Sequence, residues 1–404
     1  MVCPSTIAQV PRGRQVVKVD AMVARPKIVV VGGGIGGVTA AVALAQSGFP
    51  VTLLESAPAF GDIGAGVTLS PNAMKGLAFI GLCEAVAAAG MEPARQRIQH
   101  WQDGRTLVAM ERAGARQRHG APYVTIHRAD LHALLVHAAQ AAGAVMRVGS
   151  QVVSSTGATA ILHSGEAVSG DILIGADGLK SVVRKLFEPD AAHFTGHVAW
   201  RALVPVHAGL QDLVDWPGVH IGPGLMIARY PVRGGTLLNL VFFARAEGWT
   251  QEGWTIPSPA SELAARFSGW CGDVQAMVAA AGGGPLFKWA IHARAPLPEW
   301  TLDGRVALLG DAAHAMTPFL GQGAACAIED AIILARALKA SKLAAEGLQR
   351  YQAARIGRAH FMQLESNANA DRMQGPDSDL FGLSRIRNEE SLGLFDYDCR
   401  TAAI

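Results

Sequence analysis

Cysteine and charge are both scarce in this sequence of 404 residues: there are five cysteines, and only 17% of the chain is Asp, Glu, Lys or Arg. Cys3, Cys83, Cys271, Cys326 and Cys399 are odd in number and far apart. Such a set builds no disulfide framework and reads as reduced thiols in a cytoplasmic setting. No Cys/His spacing has the form of a zinc site, so no metal is expected. The formal net charge of +2 gives no electrostatic case for nucleic acid, and the Arg-containing stretches at 11–18 and 112–118 read as solvated loops. Residues 1–25 lack a continuous apolar run. They are expected to be a mobile tail, neither signal peptide nor membrane span, and no membrane partner is expected.

Apolar residues make up 50% of the chain, enough for a large core shared by two intertwined lobes. Near the N-terminus, Lys27-Ile-Val-Val-Val-Gly32-Gly-Gly34-Ile-Gly36-Gly37 sets G-x-G-x-x-G at the end of an apolar strand. An Ala-rich stretch from about Val38 to Gln46 reads as a helix closed by Gly48, and Val51 to Glu55 as the next strand. In this fingerprint the first glycine makes the tight turn, the second admits a pyrophosphate, and the third lets helix and strand approach. Glu55 stands near the offset of about twenty residues expected for an acid that takes ribose hydroxyls, which favours an unphosphorylated ribose. The other glycine cluster, Gly282-Gly-Gly284, precedes Pro285 and follows an Ala-rich helix, so it reads as a turn. A separate nicotinamide domain is therefore not expected.

A second strand-turn-helix segment runs from Arg305 to Ala331. Val306 to Leu309 carries no polar position, as suits a parallel strand covered on both faces. Asp311 follows at the strand end, where a carboxylate can accept hydrogen bonds from sugar or ribityl hydroxyls. Gly321, Gly323 and Ala324 then open a helix whose backbone N–H groups can meet an anionic ring edge. A third segment lies between them: Asp171-Ile-Leu-Ile-Gly175-Ala-Asp177-Gly178, again strand, acidic glycine turn and helix.

In this order the three motifs resemble those of the single-component FAD-dependent aromatic hydroxylases, and within them the salicylate and 6-hydroxynicotinate types. The resemblance spans roughly residues 26–370 and includes Gly64-Ala-Gly66, Pro71-Asn72, His127-Arg128-Ala-Asp130-Leu131-His132, Trp200-Arg201 and Tyr230-Pro231-Val-Arg233. It implies a mixed α/β fold: a Rossmann-like FAD-binding domain with an inserted antiparallel-sheet substrate domain and a C-terminal helical segment. The corresponding division is a tail at 1–25, FAD-binding parts at 26–187 and 301–345, a sheet domain at 188–300, and a C-terminal helix and tail at 346–404. The implied activity is ring hydroxylation through a C4a-hydroperoxyflavin, with FAD as cofactor, O2 as oxidant, and NADH or NADPH bound transiently by a monomer or homodimer. The alternatives are a flavin monooxygenase of a non-phenolic natural product and a flavin-binding protein without turnover.

Carried over residue by residue, the resemblance places Gly32, Gly34, Gly36 and Gly37 at the FAD pyrophosphate, Glu55 at the adenosine ribose and Arg128 on FAD. Asp311 takes the ribityl region, Gly321, Gly323 and Ala324 the flavin ring edge, and Asp177 and Gly178 serve FAD and the nicotinamide. Pro318 lies over the flavin or simply starts a helix. His314 either orients substrate or flavin or is a structural histidine satisfied near its turn. Thr68, Met226, Tyr230, Phe242 and Phe319 are expected to bind the aromatic substrate, with Trp200, Trp289 and His292 as further lining. Two positions depart from the family pattern: Thr68 where a His is common, and Leu225-Met226 where an Arg-His pair is common. No general base is assignable, and the chamber is expected to take a ring of modest polarity without a carboxylate.

Overall fold

The computed structural model describes residues 25–61, 65–187, 190–249, 256–383 and 387–404. The expected tail up to residue 24 and Gly64 lie outside the described residues. Strands Ile28–Val31, Ile172–Gly175 and Val306–Leu308 are buried at every position, which their lack of polar residues requires: a strand covered on both faces has no wet side. They form the centre of a six-stranded sheet with Val51–Leu54, Val145–Arg147 and, antiparallel at the edge, Thr301–Leu302. Val31 pairs with Gly175 and Gly175 with Leu308, so three strands far apart in sequence end side by side. The turns at Gly32, Asp177 and Asp311 therefore open on one edge, where parallel sheets place their ligands.

Glycine is obligatory at the first of these turns. Gly32 has φ +105°, and a Cβ on it would sit 2.3 Å from the Ala176 carbonyl oxygen; one on Gly37 would sit 2.0 Å from that of Gly32. Helix Ile35–Gln46 can lie this close to the sheet only because both side chains are absent.

A second, eight-stranded sheet runs in the order 256–257, 287–293, 193–205, 237–245, 225–232, 218–222, 95–100, 106–111. It extends beyond the 188–300 segment expected to contain it. Arg95–His100 and Thr106–Glu111, assigned from sequence to the cofactor lobe, form its far edge through parallel pairing with Gly218–Gly222. That pairing is non-local and leaves no short-range signature. One face of this sheet, with Trp200, Ile227, Leu240 and Phe242, packs under helices Ala260–Arg266 and Gly272–Gly282. The other face, with Ala199, Met226, Val241, Phe243 and Trp289, turns toward Phe319.

Helices Gly323–Ala340 and Ala344–Met373 complete the molecule and are joined by buried charge. Asp330 accepts hydrogen bonds from Arg355 Nε at 2.8 Å, Gly310 N at 3.0 Å and His314 Nε2 at 2.6 Å. Glu329 accepts from Asn72 Nδ2 at 2.7 Å and Arg358 Nε at 2.8 Å, and pairs with Arg355 Nη1 at 2.8 Å. Burial alone raises the Asp330 pKa, but the His314 and Arg355 charges overcome it and hold the carboxyl at about 2. No helix of the described residues is long and apolar enough to cross a membrane.

Removing Asp330 leaves buried cations short of an anion, so Asp330→Asn is expected to cost about 3–5 kcal/mol, read as a fall in melting temperature. Its folded pKa lies below the unfolded value, so its contribution is present above about pH 4 and fades as pH falls toward 2. Over that window Asp330→Asn loses less stability than the parent protein in denaturant titrations; equal losses would contradict the assignment.

Candidate active site

Three helices begin at the cleft without side-chain caps. Ile35–Gln46, Arg128–Ala141 and Gly323–Ala340 each lack a capping hydrogen bond, and the first and third also lack an acid in the first turn. The orphan N–H groups of such ends, with the positive end of the dipole, suit anionic ligands. A Cβ on Gly34, Gly178 or Gly323 would meet nothing within 4 Å, so this backbone is open to close approach. At Gly36, by contrast, it would meet Leu309 Cδ1 at 2.9 Å and Ala327 Cβ at 3.0 Å; this glycine serves packing between helix and motif and does not face the cleft.

Glu55 Oε2 accepts the Gly33 N–H at 2.7 Å, and Oε1 accepts that of Ala57 at 2.7 Å. The carboxylate is thus fixed beside the glycine turn with lone pairs left for sugar hydroxyls. His132 Nε2 donates to the Gly33 carbonyl at 2.6 Å and binds the turn to helix Arg128–Ala141. The Arg128 side chain is half-buried, yet no carboxylate or carbonyl among the described residues takes its N–H groups. Burial lowers its pKa and the Asp311 charge opposes that. Asp311 is solvent-accessible yet deep within the fold, the mark of a residue on a cleft floor; burial raises its pKa, opposed by His314 and Arg128. Open glycine backbone, uncapped helix starts, an unpartnered guanidinium and an accessible carboxylate fit a dinucleotide with a pyrophosphate and polyhydroxyl chain. FAD is such a molecule.

The Asp177 carboxylate has a different task from the one expected. It accepts the Ser181 hydroxyl at 2.5 Å and the Val182 N–H at 2.7 Å, capping its own turn, so any role toward FAD falls to the open backbone at Gly178. Just beyond, Arg184 is paired with Asp190 and donates to the Ala312 and Ala313 carbonyls at 2.9 and 2.8 Å. The second motif thereby holds the third in place.

His314 is corrected from catalytic candidate to structural residue. It is fully buried, Nε2 faces Asp330, and its ring lies 5.3 Å from that of Trp300. Burial works against its proton, but Cys326 and Asp330 raise its pKa well above the ordinary range. It acts as the cation of the Asp330 cluster. His314, Cys326 and Asp330 bring possible metal-ligating atoms within 4.8 Å of one another, but Arg355 already neutralises this carboxylate and occupies the charge a metal would need.

The candidate substrate side of the cleft is the Phe319-facing surface of the large sheet. Pro318 is exposed at the start of a short 3-10 turn, and Phe319 behind it stacks 5.1 Å from Phe243 and 5.0 Å from His197. The ring of Tyr230 abuts Gly66, where a Cβ would meet its Cε2, and Asn239 Oδ1 accepts the Gly66 N–H at 2.8 Å. Thr68 Oγ1 would lie 3.3 Å from a Cβ on Gly321. Thr68, Met226, Tyr230, Trp289 and Phe319 thus share one region. Phe242 does not: its side chain points to the opposite face, 5.4 Å from Phe267. Trp200, bonded to Ser258, and His292, against Phe194, also face away. Strand alternation explains the slip, because Met226 pairs with Phe243 and fixes that residue on its own face. Phe243 shares this face but was not among the residues expected there; the Met226–Phe243 register, set by a strand pairing, was the signal for it.

Arg128→Ala is expected to weaken FAD binding about ten- to a hundredfold in fluorescence titrations. The melting temperature of the FAD-free protein should stay unchanged, since the Arg128 side chain has no hydrogen-bond or ion-pair partner among the described residues. Phe243→Ala is expected to alter KM for a ring substrate, while Phe242→Ala costs about 3–5 kcal/mol of stability and leaves KM in place; the reverse pattern would refute the assignment of the two faces.

The comparisons with known proteins agree with this geometry. A family described as "FAD binding domain" matches residues 25–366. The 3-hydroxybenzoate 6-hydroxylase 1 of Aquipseudomonas alcaligenes is 34% identical over 92% of this chain and 94% of its own. The 6-hydroxynicotinate 3-monooxygenase of Pseudomonas fluorescens is 38% identical over 78% and 83%. A salicylate hydroxylase solved as a substrate complex superposes with a TM-score of 0.80 at 26% identity, covering 93% of this chain and 96% of its own. The chain belongs to the FAD-binding family of flavin-dependent aromatic-ring monooxygenases.

Proposed function

We propose that the protein uses NADH or NADPH and O2 to hydroxylate a ring that already bears a hydroxyl group, with FAD held between the Gly32 turn and Asp311. The observation that carries this reading is the meeting of two surfaces. The uncapped helix starts with Arg128 and Asp311 form one side, and the apolar sheet face with Tyr230, Phe243 and Trp289 forms the other.

Bound FAD supplies the activation of dioxygen and the transfer of one oxygen atom. The residues of the chain do the remaining work. Gly34, Arg128 and Glu55 would hold the dinucleotide, and the N–H groups at Gly323 and Ala324 would be free to meet its anionic ring. Phe319, Phe243, Met226 and Trp289 exclude water, which would otherwise divert reducing equivalents into peroxide. Tyr230 lies among them with its pKa raised, chiefly by burial and against the Arg201 charge. It keeps its proton at neutral pH and so would donate a hydrogen bond to the ring oxygen of the substrate and orient the ring.

The test is anaerobic reduction of the yellow protein by NADH and by NADPH in the presence of hydroxybenzoates, hydroxypyridines and uncharged phenols. At least one ring is expected to accelerate bleaching many-fold and then to consume oxygen without matching peroxide. Uniformly slow bleaching would instead leave a flavin-binding protein without turnover. With the productive ring, Tyr230→Phe is expected to lower kcat about tenfold or more with FAD content unchanged.

A further inference from the structure

Arg112 is buried just past the end of strand Thr106–Glu111, and it sets the direction of a chain of hydrogen bonds that runs to the cleft. Its Nη1 donates to Glu390 Oε2 at 2.8 Å and its Nε to Gln96 Oε1 at 2.8 Å. Gln96 stands two residues before Ile98 in strand Arg95–His100, on the Phe319-facing side of the large sheet. The Tyr123 hydroxyl bonds in turn to the side chains of Gln96 and Thr68, and the Arg112 guanidinium lies 5.0 Å from its ring. Thr68 pairs with Thr125, and Tyr123, two residues earlier, projects on the same side of that pair. Tyr230 reaches this place from the large sheet, its ring against Gly66.

Each link has one direction. A guanidinium only donates, so Gln96 presents its oxygen to Arg112 and has only its NH2 group left for Tyr123. The Tyr123 oxygen therefore accepts. Burial, with the Glu389 charge acting in the same sense, raises the Tyr123 pKa, and the phenol keeps its proton. Thr68 is the acceptor available to that proton among the described residues, and folds do not leave buried donors unused. The Thr68 oxygen thus accepts from Tyr123, and its own hydrogen is turned away from the network. No group among the described residues takes that hydrogen. Thr68 is half-buried, with Oγ1 3.3 Å from where a Cβ on Gly321 would stand, so the hydrogen is presented between the sheet and the cofactor motif.

Resting on the hydroxylase reading, we infer that Thr68 is a one-way hydrogen-bond donor to the substrate, and that the ring carries an acceptor there in addition to the oxygen met by Tyr230. An ether, carbonyl or nitro oxygen fits. An amino group does not, because its N–H would meet the Thr68 O–H head-on. Arg112, Gln96 and Tyr123 are positioning residues that act through Thr68. A free threonine hydroxyl serves donors and acceptors alike; this one is committed to donation by a cation with two side chains between them. The flavin ring also carries acceptors, and the experiment separates it from the substrate.

The experiment uses the FAD-loaded protein and phenols, hydroxybenzoates and hydroxypyridines that carry either a methoxy or an amino group at the same ring position. Kd from flavin absorbance titration and KM from steady-state turnover give a methoxy-to-amino preference. The parent is expected to prefer the methoxy ring about tenfold or more at one position. Thr68→Val should erase that preference and Thr68→Ser should keep it. Tyr123→Phe should also bring the ratio close to unity with Thr68 still in place, because the hydroxyl is then free to turn. Gln96→Glu goes further: a carboxylate accepts from Arg112 and from Tyr123 at once, the Tyr123 oxygen then accepts from Thr68, and the preference should invert toward the amino ring. Should Gln96→Glu fail to fold, Tyr123→Phe decides. The inference is overturned if the parent shows no preference or favours the amino rings, or if Tyr123→Phe lowers the melting temperature and leaves the ratio unchanged, as a purely structural contact would. It is also overturned if Thr68→Val shifts the flavin midpoint potential while the ratio stays, which assigns the donor to the flavin. Flavin reduction stimulated by rings without a methoxy preference overturns this inference and leaves the hydroxylase reading standing; no stimulation by any ring overturns both.

Discussion

Two adjacent carboxylates carried into a fully buried place, Glu329 and Asp330, are what the rest of the cleft depends on. A buried anion is tolerable only when its surroundings are organised around it. Here the organisation reaches every part of the cofactor motif. Asp330 takes the backbone N–H of Gly310 and the ring of His314, which fixes the turn that presents Asp311. Glu329 takes Asn72 from the segment after Thr68 and Arg358 from the long C-terminal helix. Arg355 bridges both acids. Helix Gly323–Ala340 is thus clamped near its middle, while its first turn has no side-chain cap.

Buried cations with structural duties have acceptors supplied by the fold: Arg184 holds Asp190 and two carbonyls of the third motif, and Arg355 bridges Glu329 and Asp330. The side chains of Arg128 and Arg201 lack such acceptors among the described residues, and both stand on the cleft. An enzyme of this family must bind an anionic dinucleotide and a small ring in one volume, and unpaired donors are the complement of ligands that arrive with their own negative charge.

The sheet explains how one strand serves two purposes. Successive residues of Leu237–Arg245 point alternately to the helices above and the chamber below. Phe242 stiffens the lobe by packing on Phe267, and Phe243, one residue on, meets Phe319. The Phe319-facing wall is therefore the underside of a hydrophobic core, backed by helices Ala260–Arg266 and Gly272–Gly282.

The sequence alone determined the cofactor half. Glycines at Gly32 and Gly37, apolar strands without polar interruption, and acids at strand ends are local requirements of backbone geometry and of parallel pairing, so they are written in short contiguous motifs. It also determined that Tyr230 and Phe319 are candidates for the chamber, but not which neighbouring residues join them. Phe242 and Phe243 are alike in composition and differ only in register, a property of the pairing with Met226. His314 looked like a site residue because it is titratable and close in sequence to Asp311; only packing showed its ring turned inward to Asp330. Tertiary structure likewise decided that the hairpin at 95–111 belongs to the large sheet, since parallel pairing with Gly218–Gly222 leaves no local trace. It alone decided that Arg201 lies over the Trp289 ring with no hydrogen-bond acceptor among the described residues, because the partners of a side chain are a fact about its whole surroundings, and no stretch of sequence contains it.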